Sequence, residues 1–168
     1  MICYKEVLDL NLDKNDLLFL SYLANKYLEK TKSIQTHKGI FHPYKHFFIK
    51  ESSMDYSDNI IFNKIERCFN GYTTLSYIYE RFHISRIPGV LPYHTDIRDC
   101  VLTIPLKKLK YPVSWIDENE NVITSYDYRN PVLVNTKIRH GCLQNDEDRV
   151  LFQIGFYDSF DVVSSHIL

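Results

Sequence analysis

Beyond Gly71 the hydrophobic pattern of this chain changes period, and that change constrains the fold more than any other feature. The run from Thr73 to Ile87 is dense in aromatic and β-branched residues, and much of it alternates. Such side chains fit a pleated, half-buried surface, so the run predicts one or two strands. Pro88-Gly89 marks a turn. Val90-Leu91 then lead into Pro92-Tyr93-His94-Thr95-Asp96. Further short apolar runs follow at Val101–Leu106, Tyr111–Trp115, Val122–Tyr126, residues 132–136 and residues 149–157. Asp117–Asn121, Asn130-Pro131 and the acidic loop Asn145–Asp148 separate them. Seven or eight short strands punctuated in this way predict a β-sandwich or barrel.

The first 70 residues read differently. Residues 1–10 predict a short leading strand. Asn15 or Asp13 is a suitable N-cap for a helix in which Leu17, Leu18, Leu20, Tyr22, Leu23, Tyr27 and Leu28 form one stripe. Lys26 and Lys30 lie near its C-terminal end, where positive charge suits the helix dipole. A second helix is expected over residues 55–69, with Ile61, Ile65, Cys68 and Phe69 on its buried face. Ser57 or Asp58 caps it and Asn70-Gly71 stops it. Residues 31–50 read as irregular chain. His42 and His46 are four apart, but Pro43 between them argues against a helical ligand pair. Together with His37 they read as structural or surface residues. The expected architecture is one domain over residues 1–168, mainly β with N-terminal helices. Its helical part spans about 1–70 and its β core about 73–158.

Size and charge narrow the function classes. A chain of 168 residues buries about 70% of its unfolded surface, enough for a core without staples. A net charge of −1 gives no general nucleic-acid-binding surface. No run approaches the ~18 apolar residues of a membrane span. Lys5, Glu6 and Asp9 near the start do not suit a signal peptide. Cys3, Cys68, Cys100 and Cys142 are scattered with no CxxC pair, as expected of reduced thiols in a cytoplasmic protein.

The chemistry is concentrated in the β region. His94 and Asp96 are two apart, and on a strand residues i and i+2 point to one face. The pair is expected to aim a ring nitrogen and a carboxylate at one metal ion. His140 comes from a later apolar segment. Two histidines and a carboxylate occupy one face of a metal and leave the other open, the donor set of non-haem Fe(II) oxygenases. An isolated His-x-Asp carries little weight. Here it joins a distal histidine and, nine residues further on, Arg149 at the head of another strand. On that strand Val150, Phe152, Ile154 and Phe156 share an apolar face. Arg149, Leu151, Gln153 and Gly155 share the other, and its arginine and glutamine suit a polar cavity. The alternative for Arg149 is a solvent-facing strand end paired with Asp146 or Asp148. Histidines must be neutral to bind metal, so ordinary values near 6.5 predict metal affinity falling below roughly pH 6.

The order His-x-Asp, distal His, then Arg resembles the 2-oxoglutarate and Fe(II)-dependent oxygenases, whose fold is a double-stranded β-helix of jelly-roll or cupin type. The resemblance covers roughly residues 75–158. It is carried by Arg86-Ile87-Pro88-Gly89, His94-Thr95-Asp96, Cys100 and the span from His140 to Arg149. Within the superfamily the chain is most similar to the aspartyl/asparaginyl β-hydroxylase-like group, which includes free-proline hydroxylases. What this implies is Fe(II) on His94, Asp96 and His140, chelation by the C1 carboxylate and keto oxygen of 2-oxoglutarate, and O2 at the last position. Arg149 would fork onto the distal C5 carboxylate, with Thr103 as a second cosubstrate residue. Succinate and CO2 would be co-products. Retention of Asp96 implies hydroxylation, because family halogenases free that position for chloride.

The chain departs from the family in two respects. Arg149-Val150-Leu151 lacks the serine of the common Arg-x-Ser. Asp96 stands where animal aspartyl hydroxylases have glycine, and Thr103 and Pro105 stand where they have arginine and histidine. Peptide-aspartate specificity therefore does not carry over. The implied substrate is a free amino acid, or an Asp, Asn or Pro side chain of a peptide or protein, with Arg86 the favoured contact ahead of Arg81, Trp115 and the His42 loop. No nucleic-acid or membrane partner is indicated. Two rival readings use the same residues. One is a cupin-like metalloenzyme that does not use 2-oxoglutarate. The other is a metal-free jelly-roll binding or viral structural module in which the motif is coincidence.

Overall fold

The structure is a computed structural model that describes residues 2–28, 35–37, 40–42, 44–49, 59–70, 75, 77–85, 91–143 and 149–168. Strand β1 (Tyr4–Glu6) is followed by helix α1 (Lys14–Leu28) and then by β2 (Gln35–His37), β3 (Ile40–His42) and β4 (Tyr44–Ile49). Helix α2 (Asn59–Arg67) precedes β5 (Tyr77–Ser85), β6 (Leu91–His94), β7 (Cys100–Pro105) and β8 (Val113–Ile116). The chain ends with β9 (Val122–Tyr126), β10 (Val132–Asn135), β11 (His140–Cys142), β12 (Arg149–Phe156) and helix α3 (Phe160–Ser165).

Asp13 is the cap of α1. Its Oδ1 accepts the N–H groups of Asn15 at 2.7 Å and Asp16 at 3.0 Å. Asp16 returns the contact, accepting the Asp13 N–H at 2.9 Å. The reciprocal pair satisfies donors that the first helical turn leaves without partners. Asn15, the other candidate cap, lies inside the helix. The buried stripe is narrower than the sequence suggests: Leu20, Leu23 and Ala24 are buried, whereas Leu18 and Tyr22 point outward. Lys64 on α2 pairs with Asp16 and so ties the two helices together. In α2, Ile61 and Ile65 are buried, as are Cys68 and Phe69 just beyond it.

Six strands form the larger sheet in the order β1-β10-β7-β12-β5-β4, and four form the smaller in the order β6-β11-β8-β9. Neighbouring strands in both sheets run antiparallel. From β5 to β12 the chain crosses from one sheet to the other at every connection except the β8–β9 hairpin. That winding is a double-stranded β-helix, in agreement with the expected fold. The eight strands from β5 onward match the count read from the turns.

Two cores follow from the alternation along these strands. Cys100, Leu102, Ile104, Leu133, Phe152, Ile154 and Phe156 project from the outer face of the larger sheet into one cluster with α1, α2 and α3. Fully burying each large side chain here contributes roughly 1.5–3 kcal/mol. Val132, Val134 and Leu151 project from the inner face and meet Val113, Trp115, Tyr126 and Tyr128 between the sheets. The helices therefore shield one face of the larger sheet, and the inner face is left for the site.

The structure differs from the sequence reading in three places. The described residues of the 31–50 span are not irregular: β2 pairs with β3, and β4 extends the larger sheet by pairing with β5. The Tyr44–Ile49 run, Tyr-Lys-His-Phe-Phe-Ile, has no clean alternation and so gives no period-2 signal. The first 70 residues thus hold four strands as well as two helices. His140 lies on a strand of its own, β11, whose three residues include a glycine and give no periodic signal. Helix α3 was not foreseen; Ser159 caps it by accepting the Val162 N–H, and Phe160 and Val163 bury its inner face. His37, His42 and His46 fall on three different strands. Ser57, Asp58, Gly71, Arg86, Pro88-Gly89 and Asn145–Asp148 lie outside the described residues, as do Lys30 and Pro43. No helix among the described residues is long and apolar enough to cross a membrane.

Candidate metal centre

Strands β6 and β11 are neighbours in the smaller sheet, and their register sets His94 directly opposite His140. The two rings stand 4.7 Å apart between centroids, inclined at 44°. Asp96 lies just past the end of β6 rather than on it. It is held instead by its backbone N–H, which donates to Thr136 O at 2.9 Å. Strand alternation therefore accounts for the orientation of His94 but not for that of Asp96. One ligand atom from each of His94, Asp96 and His140 lies within 4.8 Å of the others.

Thr136 is the brace of this corner. It is buried, and besides accepting from Asp96 it donates its hydroxyl to Arg98 O at 2.7 Å and its N–H to Asp99 O at 3.1 Å. Lys137 adds a bond to Ile97 O at 2.8 Å and an ion pair with Asp99 at 3.0 Å. The loop carrying Asp96 is therefore strapped to the turn that precedes His140. Arg98 Nη2 sits 2.8 Å from Asp96 Oδ2.

The donor set has the chemistry of a cation site. His94 Nδ1 lies 2.7 Å from Pro92 O, and His140 Nδ1 lies 2.9 Å from Ile138 O. A carbonyl only accepts, so both rings carry their proton on Nδ1 and turn the Nε2 lone pair inward. Those Nε2 atoms stand 3.7 and 3.8 Å from the two oxygens of Asp96, too far for hydrogen bonds. Lone pairs converging at that spacing suit a shared metal ion, and backbone partners on the far nitrogens are the usual outer support of such ligands. Burial, reinforced by the neighbouring His94, pushes the His140 pKa down to about 4. His140 is therefore neutral at physiological pH. The side chains of His94 and Asp96 remain 21% and 18% exposed, so the centre opens to solvent on one side.

Arg149 is buried, not facing solvent as its alternative reading had it. Its Cζ lies 5.3 Å over the ring of Tyr128, with which it also shares a hydrogen bond. Its Nε has no hydrogen-bond partner, and among the described residues no carboxylate pairs with it. A buried guanidinium without a counter-ion is costly, and an anionic ligand would relieve it. Tyr128 is missing from the sequence reading. Burial raises its hydroxyl pKa, Arg149 opposes that rise, and the charges of Cys142 and Asp96 also reach it. The Tyr128 backbone adopts φ 54°, a left-handed conformation unusual for an aromatic residue. That strain was the one feature that marked it, and it is invisible in sequence. Thr103 is buried and opposite Gln153, whose Nε2 donates to its Oγ1 at 3.4 Å. Trp115, one of the weaker substrate candidates, is fully buried: it stacks on Tyr4 at 5.3 Å and donates to Asn135 O.

No protein-family model and no curated protein matches the sequence. Solved structures match by fold. A prolyl-4-hydroxylase from Pseudomonas putida superposes with a TM-score of 0.60 at 10% identity, covering 91% of each chain. A prolyl hydroxylase from Trichoplax adhaerens, in complex with a hypoxia-inducible-factor peptide, gives 0.64 at 14% identity over 92% of this chain and 83% of that one. HygX from Streptomyces hygroscopicus, with nickel, 2-oxoglutarate and hygromycin B bound, gives 0.55 at 11% identity over 94% and 82%.

Proposed function

We propose that this chain is a non-haem Fe(II) and 2-oxoglutarate-dependent dioxygenase that hydroxylates an amino acid or a peptidyl side chain. The observation that carries this reading is the convergence of His94, Asp96 and His140, both imidazoles fixed with Nε2 inward, on a double-stranded β-helix. The three side chains hold the metal. Arg149 takes the distal carboxylate of 2-oxoglutarate, supported by Tyr128, and Thr103 contributes a buried hydroxyl on the neighbouring strand. The loaded centre couples the conversion of 2-oxoglutarate and O2 to succinate and CO2 with insertion of the second oxygen atom into a substrate C–H bond.

The chain's own part in this is positional. The Pro92 and Ile138 carbonyls keep the imidazoles in one tautomer. The depressed His140 pKa keeps that ring unprotonated at neutral pH. Burial of Arg149 makes its pairing with a carboxylate stronger than it would be in water. Four buried cysteines with no disulfide among them fit a reducing cytoplasm.

For the substrate, the likeness to two prolyl hydroxylases, one holding a peptide, favours proline within a peptide over the aspartyl or asparaginyl side chain. HygX, with hygromycin B bound, supports a second reading in which the substrate is a small molecule. Arg86 is proposed as a substrate contact on the strength of its place in the sequence motif. The test is anaerobic reconstitution with Fe(II) and 2-oxoglutarate, then addition of O2. Succinate is measured across panels of amino acids, prolyl peptides and aminoglycosides. Stoichiometric metal without succinate from any of them favours the cupin-like alternative; absence of metal binding favours the metal-free module.

A further inference from the structure

Arg98 touches a metal ligand from outside the ligand set. Its Nη2 bonds Oδ2 of Asp96 at 2.8 Å; Oδ1 faces His94 Nε2 at 3.7 Å, and Oδ2 faces His140 Nε2 at 3.8 Å. The Arg98 backbone is anchored beside the site, because buried Thr136 donates its hydroxyl to the Arg98 carbonyl at 2.7 Å. Both carboxylate oxygens thus look toward an inward imidazole nitrogen, but the guanidinium bonds Oδ2.

We propose that Arg98 is a positioning residue that confines Asp96 to donation through one oxygen and so keeps an extra coordination position open on the metal. The inference rests on the metal-centre reading above and goes beyond it. Carboxylates bind divalent cations through one oxygen or through both. An octahedral ion offers six positions. Two imidazoles and one carboxylate oxygen leave about three, enough for a chelating keto acid and O2 together. Were both Asp96 oxygens to bind, about two would remain, the keto acid would fill them, and O2 would have no place. A charge-assisted bond from guanidinium to Oδ2 is strong enough to compete for that oxygen.

The experiment uses Mn(II) alone, with the full chain as wild type, Arg98→Ala and Arg98→Met. The methionine keeps length and packing without a donor, should the alanine variant fail to fold. The readouts are the number of exchangeable waters on bound Mn(II), from water-proton relaxation, and the Mn(II) dissociation constant. Neither depends on turnover. Wild type is expected to retain about three waters and the variants about two. The variants should bind Mn(II) at least as tightly as wild type, because a second oxygen is gained and a competing positive charge is lost. A purely structural role for Arg98 predicts the reverse: weaker binding with the water number unchanged. That outcome, or an unchanged water number at unchanged affinity, overturns the proposal. If wild type itself binds no Mn(II), the metal-centre reading fails and this inference falls with it.

Discussion

The guanidinium of Arg149 lies over the ring of Tyr128 with 5.3 Å between Cζ and the ring centroid, and its Nε has no partner. An aromatic face stabilises a buried cation only in part. Such a pair suits an anionic ligand, and it is built from the first residue of β12 and a residue of left-handed backbone beyond β9. Arg149 heads β12 on the inner face of the larger sheet, the face it shares with Leu151.

Arg149→Ala should weaken 2-oxoglutarate binding to the Mn(II) form by about 2–5 kcal/mol, the usual loss when one partner of a buried charge pair is removed. Tyr128→Phe, which removes one hydrogen bond, should cost about 1 kcal/mol. Mn(II) affinity should stay at the wild-type value in both. Calorimetric titration with 2-oxoglutarate checks this, and wild-type cosubstrate affinity in Arg149→Ala would remove the assigned role.

The pH dependence follows from His140. Its pKa falls from 6.5 to about 4 on folding, so between those values the unfolded chain binds the proton and the folded chain does not. Stability from this residue is complete above pH 6.5 and is lost as pH falls toward 4. The metal-free protein should therefore be about 2 kcal/mol less stable at pH 5 than at pH 7.5 on account of His140 alone. Urea midpoints at both values, compared with His140→Gln, measure the difference. An equal pH response in the variant would show that the effect lies elsewhere.

Metal should stabilise the fold by mass action. At a hundredfold excess over its dissociation constant, Mn(II) should add about 2.7 kcal/mol. For a chain of this size that is a rise of roughly 5–10 °C in melting temperature. EDTA should reverse it, and His94→Ala or Asp96→Asn should reduce it. An equal thermal shift in wild type and His94→Ala would mean that Mn(II) binds somewhere else.

Much of the architecture was legible because strand periodicity and turn residues are local signals. The outer-face residues Phe152, Ile154 and Phe156 alternate with Leu151 and Gln153, and the two sets fall into different environments as the pattern requires. The three candidate ligands were legible because His-x-Asp is a compact motif and Arg149 follows the distal histidine at short range. Tyr128 and Arg98 were not. Tyr128 reaches the site through a left-handed backbone that aromatic sequence does not announce. Arg98 and Asp96 meet because the buried Thr136 straps their loop, a contact across 38 residues. Strand β11 escaped because a run of three residues has no measurable period and its meaning lies in how closely its neighbour approaches.

That approach is made at Gly141. A Cβ built there would meet Leu91 O at 2.6 Å and Pro92 C and Tyr93 N at 3.0 Å. All three are backbone atoms of β6, so no side-chain rotation relieves the clash, and only glycine allows the two strands to lie this close. The same two strands carry His94 and His140 in direct register. Gly141→Ala must push β6 away from β11 and separate the imidazoles. The expected cost is about 1–3 kcal/mol of stability from overpacking. Mn(II) affinity should fall by on the order of tenfold, the low end of what loss of a ligand's outer support costs. Urea denaturation and Mn(II) titration read the two effects separately. A variant that is destabilised but binds Mn(II) as wild type does would show that the ligand spacing is set by the Thr136 brace alone.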